Sequence, residues 1–230
     1  MQHLSALRKE ANKQLGLSKL GKETLVIATW NVCTLSGRFQ EVLDRAMQLG
    51  IHILCLQETR HDAMTAASIR QMAKVAGWKV FLSQPSMSMN GSPIGGVITL
   101  TRWPTEETEI PDDLHDDARG RCVMVRAYRP LGESFTIANT YMHASDRPAA
   151  RGLAACLFKL LAGIGGASII IGDWNCLPSE APAAHAISSG KWHLAIDSPE
   201  GELTPTRKEG RYVDFALATV GIDFEWKKTT

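Results

Sequence analysis

Two kinds of hydrophobic pattern alternate along the chain. "TLVIATWNV" (24–32) is a β-branched run without helical period, which predicts a buried strand. In "GRFQEVLDRAMQLG" (37–50), Phe39, Val42, Leu43, Ala46 and Met47 recur at helical spacing, and Gly50 suits a C-terminal stop. "IHILCLQ" (51–57) predicts a second buried strand, and "DAMTAASIRQMAKVAG" (62–77) a helix closed by Gly77. "WKVFLS" predicts a strand and "QPSMSMNGSP" (84–93) a turn-rich loop. "GGVITLTR" and "CVMVRAY" are further strands joined by a long acidic connection, and "SFTIANTYMHA" precedes a helix over 149–166. "ASIIIGDWN" and "YVDFALAT" follow as strands, with "IDFEWK" a candidate for one more. Helices alternate with strands early and again near residue 150, whereas the middle strands follow one another through loops. That order predicts a single mixed α/β domain with both hairpins and crossovers.

Composition narrows the class. With 230 residues, 44% hydrophobic and 21% charged, the chain is long enough for a substantial core and reads as globular. A formal charge of +1 excludes a general basic field, so a polyanionic ligand would need a local basic surface. The cysteines Cys33, Cys55, Cys122, Cys156 and Cys176 have no CxxC spacing and lie mostly in apolar runs, which predicts buried free thiols and a reducing, intracellular setting, cytoplasmic or nuclear. No apolar run approaches the roughly 20 residues a bilayer span needs. Residues 1–23 are polar, moderately basic and without a signal core; they predict a flexible extension to a domain over 24–230.

The strands end in polar residues. "TLVIATW" runs into Asn31, "IHILCLQ" into Glu58, "SFTIANT" into Tyr141 with His143 beyond, and "ASIIIG" into Asp173 and Asn175; "RYV" carries Asp214 between apolar neighbours. Strand alternation sends Asp173 and Asn175 one way and Trp174 the other. In an α/β sheet such termini gather in one cleft. Carboxylates and carboxamides without a His/Cys cluster make an oxygen-rich site, suited to Mg²⁺ or Mn²⁺. Each position also has a plain structural reading. Glu58 can start a helix, Asp173 and Asn175 can bond a turn, Tyr141 can pack, and His143 can sit in a loop. Asp214 is harder to explain so, because an unpaired buried carboxylate is costly.

Order and spacing carry more than any single position. "TWNV" (29–32), "LQET" (56–59), "GGVITLTR" (95–102), "NTYMHAS" (139–145), "GDWN" (172–175) and "RYVDFAL" (211–217) together resemble the endonuclease/exonuclease/phosphatase superfamily, in the family's order. The opening "TWNVCTLSGR" with "LQETR" looks most like its retrotransposon-type endonucleases. The resemblance implies two mixed β-sheets packed as a sandwich with helices outside, and metal-dependent cleavage of phosphoester bonds, with nucleic acid, DNA above all, as partner. By position it implies a metal site of Glu58 and Asn31, Glu58 as ligand and Asn31 bonding to the metal-side network or the phosphate, and Asp173 orienting or deprotonating the attacking water. Asn175 would hold a phosphate oxygen, and Tyr141 would contact phosphate or donate a proton, with His143 as a substitute. Asp214 would match the acid that orients a later histidine. Arg60 and Arg207 are candidate phosphate contacts.

Two departures stand out. The family ends in a Ser-Asp-His strand beyond the "VDF" acid; here residues 215–230 contain no histidine, so the last strand is expected to be missing. A fragment, a degenerate copy or a substitute histidine (His143, His185 or His193) would each account for that. Loss of such a group removes orders of magnitude of rate, because the site acts as a unit. At Cys33 some relatives carry a second acid. The acidic "PDDLHDD" (111–117) reads as a solvated loop rather than a second metal site. Three functions therefore stand: a Mg²⁺-dependent endonuclease, a non-catalytic remnant binding nucleic acid or a protein partner, and a small-molecule phosphatase. Oligomeric state is not legible.

Overall fold

The computed structural model describes residues 25–84, 86–111, 118–129, 133–195 and 213–222. The expected extension over 1–23, Arg207, most of "PDDLHDD" and most of "IDFEWK" lie outside them.

β1 (Ile27–Asn31) pairs in parallel with β2 (Ile53–Gln57), and β2 pairs antiparallel with β6 (Val97–Thr101), which pairs with β3 (Lys79–Leu82). These four strands form the smaller sheet, ordered β1-β2-β6-β3. The larger sheet has six strands in the order β11-β12-β10-β9-β8-β7: β7 (Thr105–Glu107), β8 (Cys122–Tyr128), β9 (Ser134–Tyr141), β10 (Ala167–Asp173), β11 (Trp192–Leu194) and β12 (Asp214–Thr219). Here β9 and β10 run parallel and the other neighbours antiparallel.

The two sheets pack face to face, and helices cover both outer faces. Alternation along a strand explains why the runs are apolar at every position. Ile53 and Cys55 point into the core between the sheets, with Val125, Ile137, Ile169 and Ile171, while Leu54 and Leu56 point outward. The outward pair lies under α1 (Phe39–Gln48) and α2 (Ala63–Val75). α1 buries Phe39, Val42, Leu43 and Ala46; Met47, expected on that stripe, is exposed, because Ala46 and Leu43 already fill the face toward the sheet. α2 starts with a reciprocal cap: the Asp62 carboxylate accepts from Thr65 N–H at 2.7 Å and the Thr65 hydroxyl accepts from Asp62 N–H at 2.8 Å. Over the larger sheet, α4 (Arg147–Ile164) lays down Leu153, Ala154, Leu157 and Leu161 beside Ile170, Trp174 and Phe215. α5 (Ala183–Ser188) completes this layer.

Several elements were not expected. The loop over 84–93 holds a two-stranded hairpin, β4 (Ser86–Met87) with β5 (Pro93–Ile94), and the acidic connection contains β7 and a short helix, α3 (Ala118–Arg121). All five cysteines are free thiols. Cys55 and Cys122 are buried, and burial pushes both thiols up, that of Cys55 to about 12. Cys33 departs from the expectation: it is exposed, because it follows the tip of β1. No helix among the described residues is long and apolar enough to cross a membrane.

Candidate active site

Parallel pairing places the C-terminal ends of β1 and β2 side by side, and those of β9 and β10 likewise. The register aligns Asn31 with Gln57, and Asp173 with both Tyr141 and, across β12, Asp214. The two groups of tips meet across the sandwich. The Asn31 amide nitrogen donates to Glu58 Oε1 at 2.8 Å and to Asp173 Oδ2 at 2.7 Å, so one carboxamide from the smaller sheet joins two carboxylates from different sheets. Tyr141 adds its phenol, close enough to Glu58 and Asp173 to feel both carboxylates. Asp173 is fully buried. The amide thus gives one donor to each of two facing carboxylates.

The tips of β1 and β10 end in the same local device. Asn31 Oδ1 accepts from Cys33 N–H at 3.0 Å, and Asp173 Oδ1 accepts from Asn175 N–H at 2.9 Å, each an Asx turn two residues on. Cys33 and Asn175 then take left-handed backbone, at φ 57° and 49°. One side-chain atom of each tip residue therefore holds the turn, and the other faces the pocket. The alternation expected through Asn175 stops at this turn. Its side chain instead donates to Met142 O at 2.9 Å. Trp174 does turn the opposite way, stacking on Phe215 at 4.9 Å and donating its indole N–H to Phe215 O.

Glu58 is fixed from below. Thr59 and Arg60 N–H donate to the carbonyls of Gly96 and Gly95 at 3.2 and 2.8 Å. A Cβ on Gly96 would lie 2.7 Å from the Thr59 hydroxyl and 2.9 Å from His61 Nδ1, so this approach needs a glycine. Buried His61 donates from Nε2 to Ser83 O at 3.0 Å, leaving Nδ1 to accept from the Thr59 hydroxyl at 2.8 Å. Burial holds its pKa below the usual histidine value.

The electrostatics of the pocket are anionic. Burial first, then the carboxylates of Glu58 and Asp173, push the Tyr141 phenol up to about 12, with the Arg121 guanidinium opposing. Arg121 lies over the Tyr141 ring at 5.2 Å, and Arg60 Nη2 is 3.7 Å from Glu58 Oε2. Among the described residues no three His, Cys, Asp or Glu side chains cluster, so there is no zinc-type ligand set. Carboxylate oxygens without thiolate or imidazole partners fit a hard cation that keeps waters for a substrate phosphate.

Of the residues expected from sequence, Asn31, Glu58, Tyr141, Asp173, Asn175 and Arg60 come together, with Asp214 opposite Asp173. His143 follows Met142 at the same end. The other histidines do not: His193 sits opposite Ala218, up the strand from Asp214, and His185 is exposed on α5. Arg121 joins them over the Tyr141 ring; sequence reading missed His61 and the buried pair Gln57 and Asn139. The last two were detectable as polar interruptions of otherwise apolar strands.

Residues 28–226 match the profile of the Endonuclease/Exonuclease/phosphatase family. The fold is similar to the catalytic domain of human Nocturnin, with a TM-score of 0.65 and 18% identity over 85% of this chain and 83% of that one. It is also similar to the catalytic domain of Xenopus laevis APE2 (0.60, 18%, 84% and 82%). A third similar fold is the 3' phosphatase NExo from Neisseria, solved with product DNA hairpin (0.65, 17%, 86% and 87%). At these identities the likeness is one of fold. No curated protein sequence matches significantly.

Proposed function

The chain belongs to the Endonuclease/Exonuclease/phosphatase family, and from that premise we propose that it hydrolyses phosphodiester bonds of nucleic acid, DNA in the first place, with Mg²⁺ or Mn²⁺. The observation that carries this reading is the Asn31 amide shared between Glu58 and Asp173. It unites carboxylates from two sheets in one pocket, with a phenol beside them.

Glu58 would hold the cation, with Asn31 orienting its carboxylate. A bound divalent cation would neutralise charge developing on the phosphate oxygens. With Cys33 where some relatives carry an acid, Glu58 would be the principal carboxylate on the metal. Asp173, held by Asn31 and the Asn175 backbone, is suited to orient and deprotonate a water. Tyr141 stays protonated far above neutral pH and is suited to donate to a phosphate oxygen. Asn175, anchored on Met142 O, and Arg60, on the rim, would contact phosphate. His143 and Asp214 stand at the same end as candidates for proton transfer.

The test is nicking of supercoiled plasmid by the full chain in Mg²⁺, beside Glu58→Ala and Asp173→Ala. The wild type should exceed either variant by about a hundredfold or more, because these residues act as a unit. Equal rates would refute hydrolysis by this pocket. Salt-sensitive DNA binding without nicking would favour the binding-only reading, and turnover of phosphomonoesters alone would favour a small-molecule phosphatase.

A further inference from the structure

Among the described residues the two main sheets end in four edge strands, and three of them are guarded. β7 and β11 close the larger sheet with three residues each, and β7 carries exposed Glu106 and Glu107. β3 closes one side of the smaller sheet with exposed Lys79. Short strands and charges of this kind keep an open row of N–H and C=O groups from pairing with another chain. β1, on the other side of the smaller sheet, has neither device. It is five residues long, and residues 25–36 include no charged side chain.

The pairing with β2 fixes which groups of β1 stay open. Val26 O accepts from Ile53 N–H at 3.2 Å and Val32 N–H donates to Gln57 O at 3.0 Å, so the even-numbered residues bond to β2. The N–H and C=O groups of Ile27, Thr29 and Asn31 therefore face outward along the edge. Side chains alternate in step. Thr29 and Asn31 turn between the sheets, toward Gln57 and Asp173, while Ala28 and Trp30 turn to the outer face beside α1. Val26 and Trp30 are 37% and 39% exposed. A groove of about 290 Å³ lies beside Trp30, lined by Ala28 of the strand and by Arg45, Ala46 and Leu49 at the end of α1. An open row of this kind is matched by an extended polypeptide, whose own donors and acceptors alternate in the same way.

We infer that β1 pairs antiparallel with β1 of a second copy of this chain, about a two-fold axis at Thr29, joining two four-stranded sheets into one. With Thr29 opposite its own copy, Ile27 falls opposite Asn31, so every open donor and acceptor of the strand meets a partner. The same register sets Trp30 opposite Ala28, at the closer spacing of a non-hydrogen-bonded pair. Each indole then enters the groove that the small Ala28 side chain leaves, where it meets the Arg45 guanidinium as well as apolar groups. Val26 falls opposite Val32, so both exposed apolar side chains of β1 are covered. A two-fold axis brings like residues together, which a charged edge would resist and this uncharged one does not. Each copy also holds the backbone of the other's Asn31, whose amide joins Glu58 to Asp173. A short ladder with two indoles stands near the lower limit of specific interfaces, about 1,200 Å², so pairing should be micromolar.

The test is sedimentation of the full chain from about 1 to 200 µM, the range such an interface requires, with amide exchange followed residue by residue. Mass should rise from that of one chain toward that of two. In dilute protein the amides of Ile27, Thr29 and Asn31 should exchange at least about tenfold faster than those of Ala28 and Trp30. They should slow as the mass rises. Trp30→Lys should weaken pairing about a hundredfold or more, since two indoles are lost per pair and a lysine guards the edge. Its melting temperature in dilute solution should stay near that of wild type, because the indole is at the surface. Met64→Lys, at an exposed apolar position on α2, should pair as wild type does. A single-chain mass throughout, or pairing that survives Trp30→Lys, overturns the inference. So do edge amides already slow in the dilute monomer, which would give the edge to another segment of the same chain. Pairing without slowing of those amides would put the contact elsewhere and overturns it as well.

Discussion

Backbone strain in this protein is concentrated at single residues around the pocket. All four non-glycine residues with left-handed backbone among the described residues, Cys33, Glu58, Arg60 and Asn175, lie within three residues beyond the tips of β1, β2 and β10. Such residues each cost on the order of 1–2 kcal/mol, so their clustering marks where the fold holds a geometry against local preference. His61 is part of that restraint, and it titrates. Its folded pKa is lowered, chiefly by burial and further by Arg70, against the Ser83 carbonyl and Asp62. Above the unfolded value of about 6.5 both states are neutral and pH has no effect through this group. Below it the unfolded chain takes up the proton first, so stability falls with a slope of up to about 1.4 kcal/mol per pH unit until the folded pKa is reached. Urea midpoints from pH 7.5 to 5 should therefore drop more steeply for the wild type than for His61→Gln. The variant should be weaker at pH 7.5, having lost the pair of bonds to Thr59 and Ser83. Parallel pH curves would remove His61 from this account.

At the scale of elements, the β9–β10 pair depends on a glycine. Gly172 has φ +145°, and a Cβ there would sit 2.0 Å from the carbonyl oxygen of its register partner Thr140, a backbone atom that cannot move aside. Gly172→Ala should cost more than about 4 kcal/mol or prevent folding. Gly190→Ala, with left-handed backbone but open space, should cost about 1–2 kcal/mol. Urea denaturation of the two variants side by side decides it; equal losses would mean that the β9–β10 contact does not constrain the chain. This position also shows what a sequence can disclose. Strands β2, β6 and β10 were legible because they are buried on both faces, and α1, α2 and α4 because only one face is; β1, expected to be buried, is a half-exposed edge strand with Trp30 exposed, and its β-branched run alone disclosed it. The strand-tip residues were legible too, since a polar group closing an apolar run needs a reason. Shorter elements were not. β4, β5, β7 and β11 have two or three residues each, too few for any period; β4 and β5 hold each other, and β7 and β11 are held by β8 and β12. Nor does a period foretell where an Asx turn interrupts alternation, which is why Asn175 faces Met142 rather than lying parallel to Asp173.

The whole molecule works only if its two sheets keep register, because the pocket takes Glu58 from one and Tyr141 and Asp173 from the other. A buried polar seam supplies that register. Gln57 Nε2 donates to Asn139 Oδ1 at 2.7 Å across the sandwich, while the Thr29 hydroxyl donates to Gln57 Oε1 at 3.2 Å. Asn139 Nδ2 donates back to Ile98 O at 2.9 Å and to the Thr99 hydroxyl at 3.2 Å. Hydrophobic packing alone is non-directional and would tolerate one sheet sliding over the other. Hydrogen bonds fully satisfied in a dry core do not, since any slip leaves an amide unpaired. Gln57 precedes Glu58 and Asn139 stands two residues before Tyr141, so the seam lies directly beneath the pocket it aligns. Asn139→Ala should cost about 2–4 kcal/mol, by removing the bond from Gln57 and the donor to Ile98 O and the Thr99 hydroxyl. A double-mutant cycle with Gln57→Ala should give a coupling of roughly 0.5–3 kcal/mol, because either loss alone already breaks the shared bond. Plasmid nicking measured well below the melting temperature should fall in both single variants, although neither side chain reaches the substrate. Additive stabilities with undiminished nicking would mean that the sheets find their register some other way.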